Sequence, residues 1–193
     1  MPAPLIRAFI AIHLPPAVRD YLDNLVKQWA AAAPPGVVRW VKPDAMHVTL
    51  RFLGESPAAR LETLATQLAV VAGQYPPLQF RLAQSGCFPN SRRPRVIWAG
   101  LDGDTALAVE LAQRLDQSAV ALGWPPDDHP FQPHITLGRV NERRPSPAPL
   151  NLPLAQPLSP LVVPVDAFSL MRSQLRPEGP VYTLLRRFPL NGV

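Results

Sequence analysis

The sequence predicts a fold of strands and helices built as two similar cycles around one core, and three observations carry that reading. The tetrapeptide His-x-Thr-Leu occurs as "HVTL" from His47 and again as "HITL" from His134, in a chain with only 4 histidines. Both copies show the period-2 alternation of a strand, and each is preceded by a strand and a helix, so the order strand, helix, motif strand recurs. With 193 residues, 47% of them hydrophobic, the chain has enough apolar surface to close a core as one domain.

Each element has its own warrant. "LIRAFIAI" over residues 5–12 reads as the first strand. Pro15-Pro16 opens a helix whose Val18, Leu22, Leu25, Val26 and Trp29 form one apolar stripe, and Pro34-Pro35-Gly36 ends it. "VVRWV" is a short strand, with Pro43-Asp44 as a turn before the first motif. From His47 to Phe52, strict alternation places His47, Thr49 and Arg51 on one face and Val48, Leu50 and Phe52 on the other. Ser56-Pro57 then reads as an N-cap and first-turn proline for a helix that buries Leu61, Leu64, Leu68 and Val71.

The second cycle comprises the strand "LQFRLAQSGCF", the loop "PNSRRP", the strand "RVIWAGL" and a helix over about residues 104–123 with Leu107, Leu111, Leu115 and Leu122 inward. After the loop "WPPDDHPFQP" comes the second motif strand, where alternation groups His134, Thr136 and Gly138 opposite Ile135 and Leu137. Residues 141–164 are proline-dense and read as an extended connector without regular structure. "VDAFSLMRSQL" and "VYTLLRRFPL" are a closing pair of strands.

Composition narrows the function. No window approaches the roughly 18 apolar residues of a membrane span, and "LIRAFIAIHL" is short, broken by Arg7 and without a cleavage pattern, so it reads as a strand and not as a leader. The single Cys87 cannot form an internal disulfide and fits a cytoplasmic protein; "GCFP" gives it neither an adjacent base nor a helix start, so it reads as structural. A net charge of +5, almost all of it from arginine, favours anionic partners without a long basic tail.

The repeat carries the chemistry. A lone strand histidine is usually structural, but two strands with matching His-then-Thr faces can present two imidazoles and two hydroxyls to one small anion. Imidazole titrates near 6.5, so one copy can take a proton from an attacking oxygen while the other gives one to a leaving oxygen. The hydroxyls of Thr49 and Thr136 can donate to the non-bridging oxygens. Arg139 adds a charged fork if the strand bulges at Gly138, since strict alternation would point it away.

Together, "HVTLRFLGE", "FQPHITLGR" and "RVIWAGL" resemble the two-histidine (2H) phosphoesterase superfamily, and most closely its RNA 2′,3′-cyclic phosphodiesterase branch, the LigT-like 2′-5′ RNA ligases. "RAFIAIHLP" is similar to that family's opening strand, and "FSLMRSQLRPEGPVYTLL" to its closing Ser-x-Leu…Gly-x-x-Tyr pattern. The resemblance implies an α+β fold over residues 1–193, a single domain of two pseudo-symmetric lobes whose antiparallel sheets face each other across a central cleft, with helices outside. It implies hydrolysis of a terminal 2′,3′-cyclic phosphate on RNA to a 2′-phosphomonoester, with reversible joining of 2′-5′ linkages, by a cytoplasmic monomer using neither metal nor cofactor. By motif position, His47 is the proton donor, His134 the proton acceptor, and Thr49, Thr136 and Arg139 hold the phosphate. The partners implied are RNA ends or oligonucleotides bearing 2′,3′-cyclic phosphate or 2′-5′ linkages, and no membrane.

Two other readings compete. Asp127, Asp128, His129 and His134 lie close in sequence and suggest a metal-dependent phosphohydrolase, although their spacing matches no common zinc pattern. The basic balance suggests a non-catalytic module for single-stranded RNA, but the aromatics Phe9, Trp40 and Phe88 are scattered in sequence. Arg92, Arg93 and Arg95 form a basic loop that either tracks an RNA backbone or is merely solvated. His13 and His129 lie outside the motifs and receive no role.

Overall fold

A computed structural model describes residues 4–141, 150, 152–177 and 179–192. In chain order the elements are β1 (Leu5–His13), α1 (Pro16–Ala32), β2 (Val38–Trp40), β3 (His47–Pro57), α2 (Ala58–Ala72), β4 (Leu78–Phe88), β5 (Val96–Gly103), α3 (Thr105–Ala121), β6 (His134–Val140), β7 (Val162–Val165), β8 (Ala167–Arg176) and β9 (Gly179–Pro189). The α+β class is as expected. The strands pair antiparallel in the order β7-β4-β5-β6-β3-β1-β8-β9, with β2 added to β6.

The two expected sheets are therefore two halves of one ladder. The motif strands β3 and β6 join them through one pair, Val48 opposite Ile135. These residues hold the same place in the two motifs, so the junction relates one His-x-Thr copy to the other by an approximate two-fold. Both side chains are fully buried.

One face of the sheet closes the core. α2 and α3 pack on each other and on strands from both halves, α2 against β3, β8 and β9 and α3 against β3 and β4. The inward faces match the periodicities read from sequence: Val18, Leu22, Val26 and Trp29 on α1, Leu61, Leu64, Leu68 and Val71 on α2, and Leu111 and Leu115 on α3 are all buried. Among the described residues, no helix is long and apolar enough to cross a membrane. Cys87 is half-buried on β4, and burial raises its thiol pKa.

Three local expectations fail for physical reasons. Ser56 does not cap α2: its hydroxyl, fully buried, donates toward the Leu53 carbonyl at 3.2 Å and accepts from the Trp124 indole N–H at 3.0 Å. It is part of the seam between β3 and the segment after α3. The proline-dense connector is not wholly irregular, because Val162–Val165 pairs with β4 as β7. Pro164 is tolerated there because β7 lies at the edge of the sheet, where a missing donor costs little. Residues 142–149 and 151 of the connector lie outside the described residues. The third failure, in the motif strands, shapes the site.

Candidate active site

Both motif strands carry a bulge at the leucine after the threonine. Thr49 pairs with Ala11 and Arg51 with Ile10, which leaves Leu50 as the extra residue; Thr136 pairs with Trp98 and Gly138 with Ile97, which leaves Leu137. An inserted residue reverses the alternation that follows it. Arg51, expected beside His47 and Thr49, turns inward and is 6% exposed, while Phe52, expected in the core, is 54% exposed. Gly138, expected on the His134 face, is buried, and Arg139 turns toward the cleft.

Each buried position is filled differently. Arg51 pairs with Asp116 of α3 at 2.7 Å and with Asp127 at 3.7 Å, and it donates to the carbonyls of Phe52 and Pro125. Gly138 lies under β2, where an added Cβ would come within 2.8 Å of Val38 and 2.9 Å of Trp40. Only glycine lets β2 lie this close.

The histidines are held alike. His47 Nδ1 lies 2.8 Å from the Ala45 carbonyl and His134 Nδ1 lies 2.7 Å from the Gln132 carbonyl, in each case the residue two before it. A carbonyl only accepts, so Nδ1 carries a hydrogen in both rings and each Nε2 is left to exchange a proton. His47 Nε2 lies 3.0 Å from Thr49 Oγ1. Aromatic rings wall both imidazoles: Phe9 at 4.9 Å and Tyr182 at 5.2 Å from His47, and Phe88 at 5.2 Å from His134.

Burial sets the electrostatics. Desolvation pushes the His47 pKa down to about 4; the Ala45 carbonyl opposes this, and the charges of His13, Arg139 and His134 add to it. His134 is lowered by the same burial, opposed by the Gln132 carbonyl and reinforced by Arg139. In the free cleft near neutral pH, both rings are neutral.

A cavity of about 590 Å³ opens on this face. It gathers His47, Thr49, Thr136 and Arg139 of the predicted set, whereas His134 lies outside its lining. His134 is nonetheless close enough for its charge to depress the pKa of His47. Sequence reasoning missed Arg7, Arg39, Lys42, Arg176 and Tyr182, which also line the wall. Arg7 shared the alternation of β1 with Phe9, and Tyr182 ends the Gly-x-x-Tyr pattern, so both were open to detection; the others converge only through strand pairing. Arg92, Arg93 and Arg95 are not among the lining residues, and the backbone amides of Arg92 and Arg93 donate to Asn90. Asp127 turns to Arg51, and among the described residues no three His, Cys, Asp or Glu side chains gather as metal ligands.

Two copies of one motif bring two imidazoles and two threonines to this face, with Arg139 following the second copy. A family model described as LigT like phosphoesterase matches residues 12–98 and 102–182, and the chain belongs to that family. It is 37% identical to an RNA 2′,3′-cyclic phosphodiesterase of Thermus thermophilus, with 96% of this chain and 91% of that protein aligned. The fold is similar to the crystal structure of TT0787 of Thermus thermophilus, with a TM-score of 0.79, 35% identity, and 97% and 99% of the two chains covered. It is also similar to E. coli LigT complexed with 3′-AMP, with a TM-score of 0.74, 30% identity, and 96% and 98% covered.

Proposed function

We propose that this protein is an RNA 2′,3′-cyclic phosphodiesterase that opens a terminal cyclic phosphate to a 2′-phosphomonoester, with His47 and His134 as its acid and base. The observation that carries the reading is the matched pair of histidines, each with Nδ1 tied to the carbonyl two residues before it and Nε2 left to transfer a proton. Between them, the pairing of Val48 with Ile135 relates the two motifs across the cleft.

Neutral His134 takes a proton from water at Nε2, and the water oxygen bonds to phosphorus. The bond from phosphorus to the 3′ oxygen breaks, and that oxygen leaves with the proton of His47 Nε2. Thr49, Thr136 and Arg139 hold the non-bridging oxygens as charge builds on them. Because burial leaves His47 neutral in the free cleft, the substrate's own anion must raise its pKa before it can act as an acid. With an RNA 5′-hydroxyl in place of water, the same pair forms a 2′-5′ linkage.

We further read residues 1–193 as one domain of two pseudo-symmetric lobes acting as a cytoplasmic monomer on RNA ends. Incubation of the protein with an oligonucleotide ending in a 2′,3′-cyclic phosphate tests the function. Release of the 2′-phosphomonoester, lost in His47→Ala and in His134→Ala, is expected; binding without turnover would make the protein an RNA-binding module instead.

A further inference from the structure

The cavity is more cationic than one cyclic phosphate requires. That group carries a single negative charge, yet Arg7, Arg39, Lys42, Arg139 and Arg176 line the wall and, among the described residues, no carboxylate does. Five cations there equal the formal net charge of the whole chain, +5. Such focusing suits a ligand with more than one phosphate.

Arg39 shows where the second phosphate belongs. Arg7 has a carboxylate across its ladder, since Glu55 stands opposite it on β3. Arg39 instead faces Arg139, its direct partner across β2 and β6. Directly opposed like charges destabilise a strand pair, with Cα atoms only about 5 Å apart. The register cannot slip to relieve them, because Trp40 and Val38 are packed against Gly138 at a distance that admits no Cβ. Packing therefore fixes two arginines opposite each other, both on the cavity wall, and an anion between them would offset their repulsion. Arg139, Arg7 and Arg39 line the same cavity as Tyr182.

Position separates their duties. The row formed by Arg139 and Arg39 lies about 7–10 Å along β6 from Thr136, the span of one nucleotide unit. Arg139 can reach back to the reacting group and Arg39 stands level with it, whereas β2 runs antiparallel to β6, so Lys42, just past Val41 whose amide donates to the Leu137 carbonyl, lies back toward Thr136. We propose that Arg39 holds the phosphate one nucleotide away from the reacting group, so that the protein selects oligonucleotide ends over free nucleoside 2′,3′-cyclic phosphates. This rests on the phosphodiesterase reading of the same cleft.

The test compares a dinucleotide ending in a 2′,3′-cyclic phosphate with the matching nucleoside 2′,3′-cyclic phosphate. For the wild type, the dinucleotide should have the lower KM and a salt dependence steeper by about 0.7 in log–log slope, the increment of one more neutralised phosphate. Arg39→Gln should raise the dinucleotide KM about tenfold, as loss of a charge-assisted contact does. It should remove the extra salt slope, with a much smaller loss on the nucleoside substrate. Equal losses on both substrates would place Arg39 at the reacting phosphate and overturn the proposal, as would no loss on either. If the wild type turned over neither substrate, the phosphodiesterase reading would fail by itself. Calorimetry with a 2′-phosphorylated dinucleotide and the matching nucleoside 2′-phosphate would then still decide the subsite: weaker binding of the dinucleotide alone by Arg39→Gln supports it, and parallel weakening of both ligands overturns it.

Discussion

β3 and β6 carry the same tetrapeptide, the same tie from Nδ1 to a carbonyl and the same bulge, and then diverge within two residues. After the bulge, β3 continues Arg51-Phe52 and β6 continues Gly138-Arg139. The first residue of each pair turns into the protein and the second turns toward the cleft. One backbone device thus places the Phe52 ring on the cavity wall, 6.1 Å from Phe9, and a guanidinium on the strand of His134. The inward positions match their surroundings: Arg51 meets carboxylates on the α3 side, and Gly138 makes room for β2. In the proposed roles, the duplicated part supplies the two imidazoles and the two threonine donors, while the divergent part adds the Phe52 ring and the Arg139 guanidinium to the cavity wall.

The sharpest way to break this comparison is to remove each imidazole. His47→Ala and His134→Ala should each lower kcat by about a hundredfold or more, as loss of a general acid or base does. A substrate with an activated phenolate leaving group departs without a proton, so it should partly rescue His47→Ala and leave His134→Ala inactive. Equal loss in both variants on both substrates would remove the acid and base assignments while leaving the two-histidine site standing.

Next come the divergent residues. Arg139→Ala should lower kcat/KM about thirtyfold, since it removes charge-assisted bonds to the phosphate worth about 2 kcal/mol. Phe52→Ala should act on KM, raising it about tenfold with kcat little changed, because an exposed ring on the cavity wall offers a stacking surface worth about 1–3 kcal/mol to a base. Steady-state kinetics on a cyclic-phosphate oligonucleotide separates the two. A kcat defect in Phe52→Ala with KM unchanged would mean that the ring positions His47 and does not touch the base.

Gly138 tests whether the bulge needs its neighbour. Gly138→Ala pushes a methyl into Val38 and Trp40, and overpacking of this kind costs about 1–3 kcal/mol. Thermal unfolding should show the loss, and the same substitution should cost less in a Trp40→Ala background. No loss in the single variant would mean that β2 moves freely.

These residues also mark how far the sequence could be read. The inward faces of α2 and α3 were legible because each keeps one period throughout. The catalytic candidates were legible because the motif is duplicated. Arg51 and Phe52 were assigned to the wrong faces because nothing local announces an extra residue at Leu50; the bulge exists in the pairing with β1. Gly138 did signal the freedom of Arg139, since a glycine in a strand often marks a bulge or a close backbone approach. β7 escaped because four residues containing a proline carry no periodic signal. Arg39 escaped because its partner Arg139 lies 100 positions on and only the β2–β6 register brings them together.

The smallest effect concerns pH, and it compares the histidines with themselves before and after substrate binds. Burial lowers both pKa values in the free protein, His47 to about 4 and His134 below 6.5. The profile of kcat/KM reports the free enzyme, so its alkaline limb should fall below pH 6.5 and its acid limb toward 4, each limb belonging to the coupled pair. A cyclic phosphodiester is a monoanion over this range and contributes no limb. Once bound, its charge favours protonated imidazole, so the bell in kcat should sit at higher pH than the bell in kcat/KM. Stability should follow the same groups. A histidine whose folded pKa is lowered contributes stability that is present above 6.5 and is lost as pH falls toward 4, because the unfolded chain binds more protons there. Inorganic phosphate should oppose that loss by raising the folded pKa values. Denaturant unfolding at about pH 7 and pH 5, with and without phosphate, measures it, and a kcat/KM that rises through about pH 7 to 8 would show that the cleft does not hold its imidazoles neutral.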